Sequence, residues 1–480
     1  MNSILDYVEN LAKENPKKIA IIHNEQKYDY LFLKENLINF ASSFSDLPHQ
    51  TPITMMFDNS IDFVITYLGI IKSGNIPHIV SPKISKENLF HELKITESKF
   101  FIISDDLYDK FNQSKYEIPF LKYSEINPKN IQNFIKLNSN DIAYLIYTSG
   151  TTSIAKGVPI KHRNSIFTTN NIIKILDYQE NDVNFIPLPL YHSFGLGCLH
   201  TSLFLGATAI LYNEPSNLKK MLELIDEYNS TTMAAIPITL TKLLQNESPK
   251  FSKTIKNLRL ILTNSTSVPL ETVKGIKKLL NNKTAFVTYY GLTEASRSTF
   301  MKYHTVDDKE ASVGLPASNV SIKIIDEENN EAKEGEILIK GENVISNYWK
   351  NPSADENISQ NWLRTGDIGK FDDDGYLYLL GRKDSIINVS GEKFSPNKIE
   401  KVVKDLTDVE DVVAMGINDD IFGQVVKLFI QKKHNSTITE SDILIHCIQN
   451  LERFMVPKKI EFIENFPKNE FGKIQRTKLL

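Results

Sequence analysis

The run Ile142 to Tyr147, IAYLIY, is apolar throughout and passes directly into TSGTTSIAKG, so the chain must bury a strand and hold a hydroxyl-rich loop at a sheet edge. Five hydroxyls surround Gly150: Thr148, Ser149, Thr151, Thr152 and Ser153 can each donate an O–H. Gly150 lets the backbone turn so that N–H groups converge, and Lys156 adds a point charge. Such donors suit a polyphosphate. The plainer alternative is a Ser/Thr-rich surface turn, which has no need of a lysine after a buried strand. The segment is not a Walker A loop, which requires GxxxxGK[ST], because Lys156 follows Ala155 and precedes Gly157.

At 480 residues the chain exceeds one hydrophobic core, and its length suggests about two to four domains or subdomains. Short apolar runs alternate with helical patterns, as in the strand-like Ile53 to Phe57, the helix-like Asp62 to Ser73 and the strand-like Phe100 to Ser104. The alternation returns further on: Leu203 to Leu211 reads as a strand around Gly206, Leu218 to Tyr228 as a helix, and Thr232 to Ile236 as a buried strand. This is α/β organisation. The texture changes near Gly381. Beyond it Ser395 and Pro396 can cap and begin a helix whose Ile399, Val402, Val403 and Leu406 share one face. A small α+β module follows, with strands at Val412 to Ile417, Val425 to Gln431 and Lys459 to Ile463 and a helix around Ile443 to Leu451.

A formal charge of −4 with both signs interspersed gives no electrostatic footprint for nucleic acid. Cys198 and Cys447 lie far apart in apolar surroundings, which argues against a disulfide framework or metal cluster and fits a reducing cytoplasm. No apolar run approaches the roughly 20 residues of a membrane span. The start, MNSILDYVENLAKENPKK, is an amphipathic acidic helix rather than a signal peptide, and Lys478-Leu479-Leu480 is not a peroxisomal signal.

Further segments carry chemistry. Asp367, read as lying in a tight TGD turn, has a carboxylate able to accept two hydrogen bonds from vicinal hydroxyls. His192 stands alone among apolar residues in PLPLYHSFGLG, Glu294 follows YGLT, and Lys473 sits in a polar, Gly-flanked loop near the end. Taken singly, these would be a core histidine, a solvated carboxylate and a tail lysine. Taken in order, YTSGTTSIAKG, PLPLYHSFGLG, TYYGLTEAS, RTGDIGKFDDDGYLYLLGRKDSIINVSGEKFSP and FPKNEFGKIQRTKL resemble the adenylate-forming enzymes. That superfamily includes acyl- and aryl-CoA synthetases, adenylation domains of peptide synthetases and beetle luciferase. The chain departs from its pattern at Ser153, where the family has glycine, at Ala155, where it has proline, and at Asn264 to Val268, where NSTSV replaces a Gly/Ala-rich stretch.

The resemblance implies an α/β fold with a large multi-subdomain N-terminal domain, residues 1–381, of sheets flanked by helices, and a small mobile α+β lid, residues 382–480, with a hinge near 382–386. It implies that Thr148, Ser149, Gly150, Thr151, Thr152 and Lys156 hold the ATP phosphates, Thr293 an α-phosphate oxygen and Glu294 Mg²⁺. Adenine would lie against Tyr290, Gly291 and the turn with Ser265 and Thr266, and ribose on Asp367 with Arg382. His192, Phe194, Gly195, Leu196, Gly197 and Leu292 would form the acid pocket. Lys473 would act where carboxylate meets α-phosphate, and Asp384 would be the hinge. Ser390, Gly391 and Lys393 would serve a tunnel for the thiol of CoA, or for the phosphopantetheine of an acyl carrier protein.

The expected activity is an AMP-forming acid–thiol ligase acting on a small-molecule carboxylic acid. The pocket segment lacks a carboxylate to pair an α-ammonium, so a fatty or aromatic acid without an α-amino group is expected. A carrier-protein-loading adenylation enzyme and a non-catalytic nucleotide-binding relative are the alternatives. Retention of Lys473, Asp367 and Glu294 together argues against the latter.

Overall fold

The computed structural model describes residues 1–111, 118–131, 133–148, 155–245, 249–264, 268–281, 283–390, 392–419, 422–468 and 474–479, excepting the side chains of 249–252, 393 and 477. The chain divides into two compact units, Met1–Ile322 with Ile339–Leu363 and Lys323–Leu338 with Arg364–Leu480.

Two sheets form the frame of the first unit. The smaller has six strands in the order Phe120–Lys122, Phe101–Ile103, Pro52–Met56, Ile76–Val80, Ile142–Thr148 and Lys156–Lys161. Its pairs are parallel except the last, an antiparallel hairpin that makes Lys156–Lys161 the edge. Pro159 is tolerated there because an edge strand need not donate on its outer side. The larger sheet has nine strands. Its centre is parallel, running through Ala285–Tyr290, Leu260–Asn264, Thr232–Ala234, Val183–Ile186, Thr208–Leu211 and Ile19–His23. Strands buried on both faces need continuous apolar runs, which is what IAYLIY and its counterparts supply. The helix Ile4–Glu14 starts at a capping box between Ser3 and Asp6, an arrangement typically contributing about 1 kcal/mol.

The apolar stretch around Gly206 differs from the sequence reading. Leu203 to Leu211 is not a single strand: the helix Ser193–Leu205 ends at Gly206, and a separate strand begins at Thr208. Gly206 takes φ +75° as a left-handed cap, a conformation that costs other residues about 1 kcal/mol or more.

In the second unit the C-terminal module has Glu392–Phe394, Ile387–Val389, Gly423–Lys432 and Val409–Asp419 side by side, with Lys459–Phe462 parallel to Gly423–Lys432. Ser395 caps the helix Pro396–Lys404, and Ile399 and Val403 bury its apolar face. The period of two in the strands sorts their side chains. Val412, Ala414, Leu428 and Ile430 pack with Ile399, Ile443 and Cys447, while Val413 and Phe429 join Phe466 in a separate cluster. The change of texture at Gly381 lies inside this unit, because Arg364 and Lys383 both bind Glu336, at 2.7 and 2.9 Å. Burial works against the Glu336 charge, but these two cations more than offset it and hold its carboxyl below the ordinary glutamate range.

Candidate active site

The edge hairpin of the six-stranded sheet sets Thr148 directly opposite Lys156, so the two ends of the hydroxyl-rich loop are held in register. Ser149, Gly150, Thr151 and Thr152 lie outside the described residues. Gly157 beside Lys156 has little room: an added Cβ would stand 2.9 Å from Trp349 Cβ and 3.0 Å from Tyr147 Cζ. The Trp349 amide also donates to the Gly157 carbonyl at 2.8 Å. That contact seats Tyr348, whose ring centroid lies 5.5 Å from Lys156 Nζ. Tyr348 Oη in turn donates to Glu294 Oε1 at 3.1 Å. Lys156 and Glu294, far apart in sequence, are thus brought to one tyrosine.

Glu294 stands in a tight return at the end of the strand Ala285–Tyr290. The Leu292 and Ala295 amides each donate to the other's carbonyl, at 3.1 and 3.2 Å, and the Ser298 amide donates to the Tyr290 carbonyl at 2.8 Å. Gly291 is needed here, since a Cβ would lie 2.5 Å from the Arg297 nitrogen and 2.7 Å from the Ala295 carbonyl oxygen. Thr293 and Glu294 are partly exposed in this return, whereas Tyr290 is buried at its base. The Ile345 amide donates to the Glu294 carbonyl at 3.0 Å, fastening the return to the segment that carries Tyr348.

His192 is the N-cap of the helix Ser193–Leu205, with its ring 4.6 Å from Tyr191. Gly195 lets the first turn lie against the Pro189 carbonyl, and a Cβ at Gly197 would overlap the Arg297 guanidinium. Phe194 packs edge-on to Tyr289 at 5.3 Å and Leu196 is wholly buried. A cavity of about 20 Å³ is lined by Ser193, Gly197, His200, Thr293, Arg297 and Asn343 among others. Gly197 and Thr293 thus share one cavity, while Phe194 and Leu196 pack away from it. Burial pushes the Tyr144 phenol and the Cys198 thiol up to about 12, and burial with Arg297 nearby pushes the His200 imidazole down to about 3. All three are neutral at neutral pH.

Sequence reading missed Arg297 and Tyr348. Arg297 stands one residue beyond the recognised TYYGLTEAS, and the signal was a cation directly after that segment. Tyr348 gave no signal, since its contact with Glu294 spans 54 residues.

Asp367, in the second unit, is not in a turn: it belongs to the strand Trp362–Phe371, where Gly366 at φ +69° leaves room for the Arg382 side chain. Asp367 and Arg382 are register partners, and Arg382 Nη1 donates to Asp367 Oδ1 at 3.0 Å and to the Thr365 carbonyl at 2.9 Å. Arg382 Nε lies 3.6 Å from Asp384 Oδ1, at the start of the short turn Lys383–Ser385. Ser390 takes φ +53° between the strands Ile387–Val389 and Glu392–Phe394. Lys393 lies in the latter strand, and Gly391, Ser265, Thr266 and Lys473 fall outside the described residues.

Comparison with known proteins gives consistent matches along the whole chain. A family model described as AMP-binding enzyme matches residues 8–349, and one described as AMP-binding enzyme C-terminal domain matches residues 398–473. A long-chain-fatty-acid–CoA ligase of Salmonella typhimurium is 27% identical, covering 99% of this chain and 94% of that protein. An oxalate–CoA ligase of Saccharomyces cerevisiae is also 27% identical, with the same coverage. The o-succinylbenzoate CoA synthetase of Bacillus subtilis, solved with its acyl-adenylate intermediate, superposes with a TM-score of 0.89 over 98% of this chain and 97% of that one, at 24% identity. The fold is therefore the mixed α/β fold of that structure.

Proposed function

The chain belongs to the AMP-binding enzyme family, and from that premise we propose that it is an ATP-dependent acid–thiol ligase, joining a carboxylic acid to the thiol of CoA through an acyl adenylate. In the first step a carboxylate oxygen bonds to the α-phosphorus of ATP, the bond from that phosphorus to the bridging oxygen breaks, and pyrophosphate leaves with the electron pair. In the second, the CoA sulfur bonds to the acyl carbon and AMP departs on its oxygen, while the thiol proton passes to solvent.

Such chemistry is charge management. Negative charge spreads over phosphate oxygens in the transition state, and fixed donors and cations aimed there lower the barrier. The observation that carries the reading is the gathering of Lys156 and Glu294 on Tyr348 beside the anchored ends of the hydroxyl-rich loop. In this reading Lys156 and residues 148–152 bind the β- and γ-phosphates, Thr293 an α-phosphate oxygen, and Asp367 with Arg382 the ribose. Lys473 meets the developing charge at the α-phosphate. The Glu294 carboxylate is an oxygen donor of the kind Mg²⁺ takes together with substrate phosphates. Among the described residues no group of three or more His, Cys, Asp or Glu could hold a metal unaided, so Mg²⁺, which neutralises phosphate charge when bound, would arrive with the nucleotide.

His192 borders the acid. A lid from residue 382 turning at Asp384 would present Ser390, Gly391 and Lys393 for the second step. No helix among the described residues is long and apolar enough to cross a membrane, and the free, buried Cys198 and Cys447 accord with a cytoplasmic enzyme.

The test is ATP–pyrophosphate exchange across a panel of carboxylic acids, followed by mass analysis after CoA is added. Exchange with an acid and an acyl-CoA product support the reading. Exchange with acyl transfer only to a carrier protein would move the acceptor to phosphopantetheine, and no exchange with any acid would overturn the ligase assignment.

A further inference from the structure

Arg297 is 4 % exposed, and among the described residues no carboxylate pairs with it. Its Nη2 donates to the Ser193 and Phe194 carbonyls at 3.1 and 3.2 Å, its Nη1 donates to Ser296 Oγ at 2.6 Å, and its guanidinium lies 4.9 Å from the Tyr289 ring. Its Nε has no partner among the described residues. The groups that sense its charge, Tyr144, Cys198, His200 and Tyr289, are all uncharged at neutral pH. Burying a cation without a counter-charge is costly, and so is its backbone, which sits at φ +55°. Gly197 keeps the space that the guanidinium fills. On the same cavity wall Asn343, 3 % exposed, has an Oδ1 with no donor among the described residues. A fold that retains such an expensive group at the wall of a cavity holds it for a ligand of opposite charge.

Building on the ligase reading above, we propose that the acid is a short dicarboxylate, whose second carboxylate binds Arg297 while the first reacts near Thr293. The spacer is short because Thr293 and Arg297, four residues apart in the same tight return, line one cavity. The cavity wall thus carries a cation, where a fatty or plain aromatic acid requires an apolar channel.

The experiment compares pyrophosphate exchange with malonate and succinate against their monomethyl esters, which are of similar length but lack the second charge, and against hexanoate and decanoate. The unmodified protein is expected to prefer each diacid over its monoester by about 100-fold or more in kcat/KM. Arg297→Gln should erase that preference by lowering the diacid alone, and Gly197→Ala, which presses on the guanidinium, should do the same if the arginine variant fails to fold. Equal loss for diacid and monoester would mean that Arg297 serves the reacting carboxylate or the fold, and overturns the proposal. Efficient use of decanoate with no use of either diacid would overturn it while leaving the ligase reading intact. If no acid supports exchange, calorimetry with succinate decides: binding that vanishes in Arg297→Gln upholds the subsite after the ligase reading has failed, and no binding ends both.

Discussion

Tyr348 Oη donates to Glu294 Oε1 at 3.1 Å while its ring lies beneath the Lys156 ammonium, 5.5 Å from centroid to nitrogen. One side chain thus orients a carboxylate and a cation through different parts of itself. Tyr348→Phe removes the hydroxyl and keeps the ring. Hydrogen bonds to charged groups are worth about 1.5–3 kcal/mol, so adenylate formation should fall about 10- to 100-fold, with a raised Mg²⁺ requirement and little change in the KM of the acid. Tyr348→Leu should lose further activity by releasing Lys156. Unchanged Mg²⁺ dependence in Tyr348→Phe would separate Glu294 from the metal.

Two buried histidines tie the stability of the first unit to pH. Burial lowers His162 to about 4, against weaker opposing pulls from Asp141 and Asp6, and burial with Arg297 lowers His200 to about 3. As pH falls below 6.5 the unfolded chain takes up these protons before the folded one does. The stabilisation is therefore complete above pH 6.5 and is lost as pH drops toward 4 and then 3. Each proton contributes a slope of about 1.36 kcal/mol per pH unit, so each of these imidazoles should add close to one proton to the pH dependence of chemical denaturation near pH 5. His200→Gln should lower the slope by about one proton. An unchanged slope in that variant would show that the His200 imidazole is not held neutral.

Asp367 Oδ1 accepts from Arg382 Nη1 at 3.0 Å, and a carboxylate can accept several donors at once. Asp367→Ala is expected to weaken ATP binding by about 10- to 100-fold, the loss of hydrogen bonds to an ionised acceptor. The KM for the acid should stay close to that of the parent. Arg382→Lys should cost less, because a point charge retains the pairing but not the reach to the Thr365 carbonyl. Equal binding of ATP by Asp367→Ala and the parent would remove Asp367 from the nucleotide site.

The two half-reactions should separate genetically. Lys473→Ala is expected to lower adenylate formation by about 100- to 1000-fold, as removal of a fixed transition-state donor does, while thioester formation from a supplied acyl adenylate survives. Asp384→Pro, which fixes φ in the turn Lys383–Ser385, should keep pyrophosphate exchange and lose thioester formation. Parallel loss of both activities in both variants would contradict a lid that turns at Asp384.

Much of this molecule is legible in its sequence where local physics decides. Ile142–Thr148 emerges as a strand because its run is apolar and bounded, and Pro396–Lys404 as a helix because Ser395, Pro396, Ile399 and Val403 agree on one. Leu203 to Leu211 misleads because it is mostly buried, so no clear periodicity separates helix from strand, and only the left-handed Gly206 marks the break. TGD reads as a turn, yet pairing with Leu377–Arg382 makes it strand. The Arg297 environment and the Tyr348 bridge are invisible for another reason. Both depend on segments that meet only in the folded chain, Ser193–Gly197 with Arg297 and Glu294 with Tyr348.

Adenylate formation bonds a carboxylate oxygen of the acid to the α-phosphorus of ATP. Isotope transfer follows that oxygen: the acid is supplied with both carboxylate oxygens as ¹⁸O, together with ATP, Mg²⁺ and CoA, and the nucleotide, phosphate and thioester products are weighed. AMP is expected to carry one ¹⁸O, with unlabelled pyrophosphate and an acyl-CoA that retains the other ¹⁸O. Label appearing in orthophosphate with ADP as the nucleotide, or acyl-CoA formed with no label in AMP, would contradict adenylate formation.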